Sequence, residues 1–153
     1  MIDPSFVGST STPFTMEVER GRLLMFNRVV QTAEPVFTDP VAARQAGHPD
    51  LPVPPTFLFG LDLADPSDLL AGMGVDLSRV LHVEQGFVYH RTAYAGETLT
   101  FAPVITDIYS RQGGALEFVV RDTAVTGADG EPVADLHQVI AVRGAASDEE
   151  AGS

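Results

Sequence analysis

The chain of 153 residues contains no cysteine and no lysine. The first absence excludes disulfides, thiolate nucleophiles and Cys-type zinc sites; the second excludes Schiff-base catalysis. All nine basic residues are Arg, against 21 acidic ones, for a formal net charge of −12. Nucleic-acid binding needs clustered positive charge, so no nucleic-acid partner is expected. No apolar run approaches the ~20 residues of a membrane span, and no signal-peptide pattern opens the chain; a cytoplasmic protein without a membrane partner is expected. There is no glycine-rich phosphate loop and no G-x-S-x-G elbow of a serine hydrolase. His48, His82, His90 and His137 are scattered, with no pair at metal-ligand spacing such as H-E-x-x-H. Neither a metal nor a cofactor is expected.

What is present is a soluble-domain composition and a length suited to one core. Residues 1–12 are rich in Ser, Thr and Gly and read as a loose arm. Residues 145–153, AASDEEAGS, read as a disordered acidic tail. Residues 13–144 form the single domain between them. Leu23, Leu24, Phe26, Val29 and Val30 fall at helical spacing between Arg20 and Gln31. A short helix is expected over Asp39–Ala46, with Asp39 as N-cap, Pro40 at N1 and Gly47 closing it. His48–Pro55 holds Pro49, Pro52, Pro54 and Pro55 and must be extended. The run TFLFGLDLA is apolar nearly all round and reads as a buried helix, and a further helical stretch is expected over Ser67–Gly72.

The C-terminal half changes character. VLHVEQGFVYHR, ETLTFAPVITDIYSR, ALEFVVRDTAVTG and PVADLHQVIAVRG are rich in β-branched and aromatic residues. Gly-containing turns separate them at AYAGE, RQGGA and GADGEP. Consecutive strands joined in this way are expected to pair antiparallel. Helices followed by an antiparallel sheet define an α+β layer fold.

Two blocks carry a family resemblance. The first is residues 26–57, FNRVVQTAEPVFTDPVAARQAGHPDLPVPPTF, where Phe26, Pro35, Asp39, Pro40, Ala43, Gly47 and Pro54 match the signature of the MaoC-like (R)-specific enoyl-thioester hydratases and dehydratases. The second is residues 80–100, where Glu84, Gln85, Phe87, Tyr89, His90, Arg91, Gly96, Glu97 and Leu99 match the MaoC-like N-terminal dehydratase domain. The resemblance implies the hot-dog fold, a curved antiparallel sheet wrapped around a central apolar helix. It also implies an acyl-CoA or acyl-ACP thioester as substrate and a homodimer or heterodimer. The catalytic letters are missing: Thr32 stands at the family's Asp, Glu34 at its Asn and Phe37 at its His. The chain therefore most resembles the non-catalytic subunits of mycobacterial-type (3R)-hydroxyacyl-ACP dehydratase heterodimers, whose acid–base pair comes from a second hot-dog chain.

Hydration of an enoyl thioester needs water activated at one carbon and a proton delivered to the next. Thr32 does not titrate in range, and Phe37 has no proton to move. Glu34 is the one titratable neighbour and the only candidate substitute base; otherwise it is an exposed carboxylate. Pro54, Pro55, Thr56 and Phe57 begin the apolar helix and, by the resemblance, face the thioester pocket. Thr56 and Phe57 would supply the first free amides there. His90 and Arg91 end a strand in the second block, His90 in a hydrogen bond at the pocket or dimer edge. Arg91 and Arg111 are candidates to hold a CoA or phosphopantetheine phosphate. Phe59 is assigned to the core, and His82 to a half-exposed strand face. Three functions remain open: a non-catalytic subunit shaping the acyl channel, a self-sufficient hydratase or thioesterase using Glu34 or another carboxylate, and a non-enzymatic acyl-thioester binding homodimer.

Overall fold

The computed structural model describes residues 1–143 apart from Asp68, Gln112 and Gly114, so the acidic tail expected at 145–153 lies outside the described residues. Five strands form one antiparallel sheet: β1 (Phe14–Glu17), β2 (Val80–Tyr89), β3 (Thr98–Arg111), β4 (Leu116–Thr126) and β5 (Pro132–Arg143), in the order β1-β3-β4-β5-β2. The four long strands lie where β-branched and aromatic density predicts them. β1 was not anticipated, because four residues leave too short a pattern to stand out beside the helix that follows.

One pairing differs from expectation. β3–β4 and β4–β5 are hairpins, but β2 pairs with β5 and not with β3. The AYAGE segment is therefore a crossover. The His90 and Arg91 amides donate to the Val133 carbonyl, while the Val53 amide donates to Ala93 O and the Ala95 amide to Leu51 O. These bonds lead the chain away from β5 and across to the far edge, where β3 also receives β1.

Helix α1 (Arg20–Val29) is followed by Gln31, whose φ of 56° takes the chain off the helical path. Helix α2 (Pro40–Gln45) follows the expected grammar. The Asp39 carboxylate accepts from the Val41 amide at 2.8 Å, Pro40 occupies N1, and Gly47 turns the chain at φ +91°. Helix α3 (Phe57–Asp62) is the central one. It is shorter than its apolar run, because Leu63 is 60% exposed and the chain turns away there. Helix α4 is Leu69–Gly72. Phe57, Leu58 and Leu61 pack onto Phe101, Val125, Val133 and Leu136 of the sheet. A second apolar cluster gathers Ile105, Val119, Ile140 and Val142 with Met73, Val75 and Ile2.

Ile2 corrects the loose arm expected over residues 1–12. It is 6% exposed, and its amide donates to Glu117 Oε1 at 2.5 Å. Gly8 N–H bonds Ile105 O, and Ile105 N–H bonds Ser9 O. A segment poor in apolar residues is held by backbone pairing to a strand, which composition does not register.

Candidate functional site

Part of the predicted set meets near the N-terminus of α3. A cavity of about 350 Å3 is lined by Val53, Pro55, Leu58, Tyr89, His90 and Arg91, among others. It brings together Pro55, His90 and Arg91. Pro54 and Phe57 are buried behind it, and Thr56 is exposed at the helix start. The Phe57 ring meets Phe26 edge-on at 5.4 Å, joining the two ends of the signature segment. Phe59 is only partly buried and stacks on the exposed His82 at 4.8 Å, so neither sits in the deep core.

The amides at this helix start are not free, contrary to expectation. Thr56 N–H donates to the Tyr89 hydroxyl at 3.3 Å, and Phe57 N–H to the Pro54 carbonyl at 3.3 Å. Thr56 itself has φ 73°, a left-handed conformation that β-branched residues rarely adopt. Such strain concentrates at functional sites. Burial pushes the Tyr89 phenol above its ordinary pKa, and the Thr56 amide pulls it partly back. Sequence reasoning missed Tyr89, although the second signature block contains it. Its partnership with Thr56 spans 33 residues and has no local signal.

His90 and Arg91 are each tied to a carboxylate. His90 Nε2 lies 2.8 Å from Asp135 Oδ2. The Arg91 guanidinium contacts Glu97 at 2.9 and 3.2 Å, and Nη1 also donates to Thr92 O. Glu97 holds the Arg91 pKa above its ordinary value. Gly127 leaves room for this arrangement, since a Cβ there would stand 2.6 Å from Arg91 Nη2. Arg111 lies over the Tyr109 ring at the far end of β3. Arg91 lies beside Glu97 just before the start of β3 and Arg111 at its end, so the two arginines stand at opposite ends of that strand and do not share one phosphate.

The segment that contains Thr32, Glu34 and Phe37 is held by Asn27, which is 1% exposed. Asn27 Nδ2 donates to Phe37 O at 2.7 Å, and Thr32 N–H donates to Asn27 O at 3.0 Å. Beside it is an open cavity of about 550 Å3 lined by Leu24, Asn27, Arg28, Gln31, Thr32 and Thr38. Glu34 is exposed and caps a short 3-10 turn without a side-chain hydrogen bond. Among the described residues no cluster of three or more His, Asp or Glu forms a metal site. No described helix is long and apolar enough to cross a membrane.

A five-stranded antiparallel sheet curved over one short apolar helix is the hot-dog fold of the MaoC-like hydratases and dehydratases. The chain belongs to the FAS1-like dehydratase domain region family, which it matches over residues 5–136. It is 34% identical to a UPF0336 protein of Saccharopolyspora erythraea, covering 97% of this chain and 96% of that one. Among solved structures it is similar to the C-terminally truncated HadBC (3R-hydroxyacyl-ACP dehydratase) complex of Mycobacterium tuberculosis. The TM-score is 0.78 and the identity 28%, over 89% of this chain and 96% of that one. The (R)-hydratase PhaJ1 of Pseudomonas aeruginosa shares the fold, at TM-score 0.69 and 17% identity over 90% and 81% of the two chains.

Proposed function

We propose that this chain is the non-catalytic subunit of a (3R)-hydroxyacyl-thioester dehydratase, or enoyl-thioester hydratase. In this reading it shapes the acyl channel while a second hot-dog chain supplies the acid–base pair. The observation that carries the proposal is the loop around Asn27. It is held by part-buried hydrogen bonds, while Thr32 and Phe37 stand where the resemblance places the acid–base pair. Glu34 is exposed and unpaired in its surroundings, which gives no support to a replacement base.

In this reading Pro54, Pro55, Thr56 and Phe57 form the wall of the channel. His90 and Arg91 line its mouth, with Arg91 toward the phosphate of an acyl-CoA or acyl-ACP thioester. The partner docks along β2, which is an open edge carrying exposed Leu81, Val83, Val88 and Tyr89. Unpaired edges of this length are normally covered. The relative described as a HadBC complex supports a heteromeric assembly.

The test is hydration of crotonyl-CoA. The purified chain alone should be inactive, and mixing it with a hot-dog chain bearing the N-P-L-H-x-D signature should produce turnover. Turnover above about 1 s⁻¹, typical of enzymes, from a partner-free preparation refutes the proposal.

A further inference from the structure

The side-chain amide of Asn27, a residue 1% exposed, is satisfied on one side only. Nδ2 donates to Phe37 O at 2.7 Å, and that bond fixes which way the amide faces. Oδ1, on the other side, is buried and has no hydrogen-bond partner. The Thr32 amide bonds the backbone carbonyl of Asn27 and does nothing for the side chain. Unpaired buried acceptors are costly and few in native proteins.

Asn27 forms part of the wall of the open cavity of about 550 Å3 beside α1. The rest of the wall is Leu24, Arg28, Gln31, Thr32 and Thr38, with no carboxylate among them. Arg28, Gln31, Thr32 and Thr38 all carry N–H or O–H donors. Elsewhere in this acidic chain, Arg20, Arg91 and Arg121 are each committed to a carboxylate. Arg28 is exposed, and among the described residues it enters no ion pair. The cavity therefore combines a cation, several neutral donors and one orphaned acceptor. It shares no lining residue with the cavity at the N-terminus of α3.

We propose that this cavity binds a phosphate group that retains a proton, as inorganic phosphate or a phosphomonoester. Its charged oxygens accept from Arg28, Gln31, Thr32 and Thr38, and its P–OH donates to Asn27 Oδ1. The donor set calls for several acceptor oxygens on one group, more than the two of a carboxylate. The orphaned acceptor calls for a proton on that same group. Sulfate matches phosphate in shape but is fully ionised at neutral pH and brings no donor. A phosphodiester lacks the proton as well. The cavity is larger than the phosphate itself and leaves room for the organic part of an ester, with Leu24 as its apolar wall. The proposal goes beyond the hydratase reading and does not depend on it, since neither a thioester nor an acyl chain takes part.

The test compares inorganic phosphate, glycerol 3-phosphate, sulfate and dimethyl phosphate on the purified full chain, at neutral pH and matched ionic strength. Binding is measured by titration calorimetry and by ligand-dependent melting. Phosphate and its monoester are expected to bind about tenfold tighter than sulfate, the worth of one satisfied buried acceptor. The tighter of the two identifies the source of the phosphate group. Dimethyl phosphate is expected to bind no better than sulfate. Arg28→Gln, at an exposed position, is expected to weaken phosphate about tenfold. In Asn27→Ala the preference for phosphate over sulfate falls to about twofold or less. Equal binding of phosphate and sulfate by the parent chain, no binding of phosphate, an affinity unchanged in Arg28→Gln, or a preference that survives Asn27→Ala overturns the proposal. Should Asn27→Ala not fold, a phosphate affinity undiminished in both Thr32→Val and Thr38→Val does the same.

Discussion

Asn27, in the last turn of α1, donates its side-chain amide to the carbonyl oxygen of Phe37 at 2.7 Å. The contact closes the loop that contains Thr32, whose amide bonds the Asn27 carbonyl. Asn27→Ala removes the clamp and leaves the part-buried Phe37 carbonyl without it, at a cost of about 1–3 kcal/mol. For a domain of this size that lowers Tm by roughly 3–10 °C. Thermal melts of the variant and the parent chain check it, and coincident curves would show that the loop holds itself.

Thr56 occupies a left-handed conformation at φ 73°, which costs an L-residue about 1–2 kcal/mol. Glycine adopts it without steric penalty but gains entropy in the unfolded chain. Thr56→Gly is therefore expected to be stabilising by ~0.5–1 kcal/mol in denaturant titrations. Tyr89→Phe removes the acceptor of the Thr56 amide; its signature is faster hydrogen exchange at Thr56, with the remaining core amides unchanged.

Arg121 is the counter-cation of a carboxylate that is 1% exposed. Arg121→Met alone strands that charge and should destabilise by about 3–5 kcal/mol, whereas Asp62→Leu/Arg121→Met together should cost much less. A double-mutant cycle measures the coupling directly. Additive effects would mean that the two groups do not act as a pair.

The acid limb of stability has two opposing contributions. The Asp50 carboxyl is held below its ordinary 3.8, first by its hydrogen bond from Arg20 and then by the Leu51 amide. A depressed carboxyl stabilises fully above 3.8, and the contribution disappears as pH falls through the folded value. The pair is partly exposed, at 53% for Arg20 and 20% for Asp50, so its worth is about 1 kcal/mol or less. Asp62 is raised by burial, so its penalty is absent below 3.8 and grows as pH rises toward the folded value. Asp50→Asn should be less stable than the parent chain at pH 7, with the gap closing below about pH 3.8. A gap independent of pH would remove Asp50 from the acid limb.

Much of the architecture is written in short-range pattern. Asp39, Pro40 and Gly47 delimit α2 by local stereochemistry alone, and four strands follow from side-chain type. Thr32 and Phe37 are equally plain in the sequence, and with them the expectation, by resemblance, that they stand where an acid–base pair would. Several features have no local signal. β1 is too short to register, the docking of residues 1–12 rests on backbone bonds to β3, and the polar row of Gln85, Gln138 and Arg121 exists only once three strands are aligned.

The sequence by itself determined the family, the four long strands and the bounds of α2. Those depend on residue identity and on neighbours a few positions apart. Only the tertiary structure decided that β2 pairs with β5, that Tyr89 takes the Thr56 amide, and that Asn27 holds the loop of Thr32 and Phe37. Each of these is a contact between segments distant in the chain or a bond to a backbone group. Backbone groups are the same at every residue, so which of them meet is set by the packed fold and leaves no mark in the order of side chains.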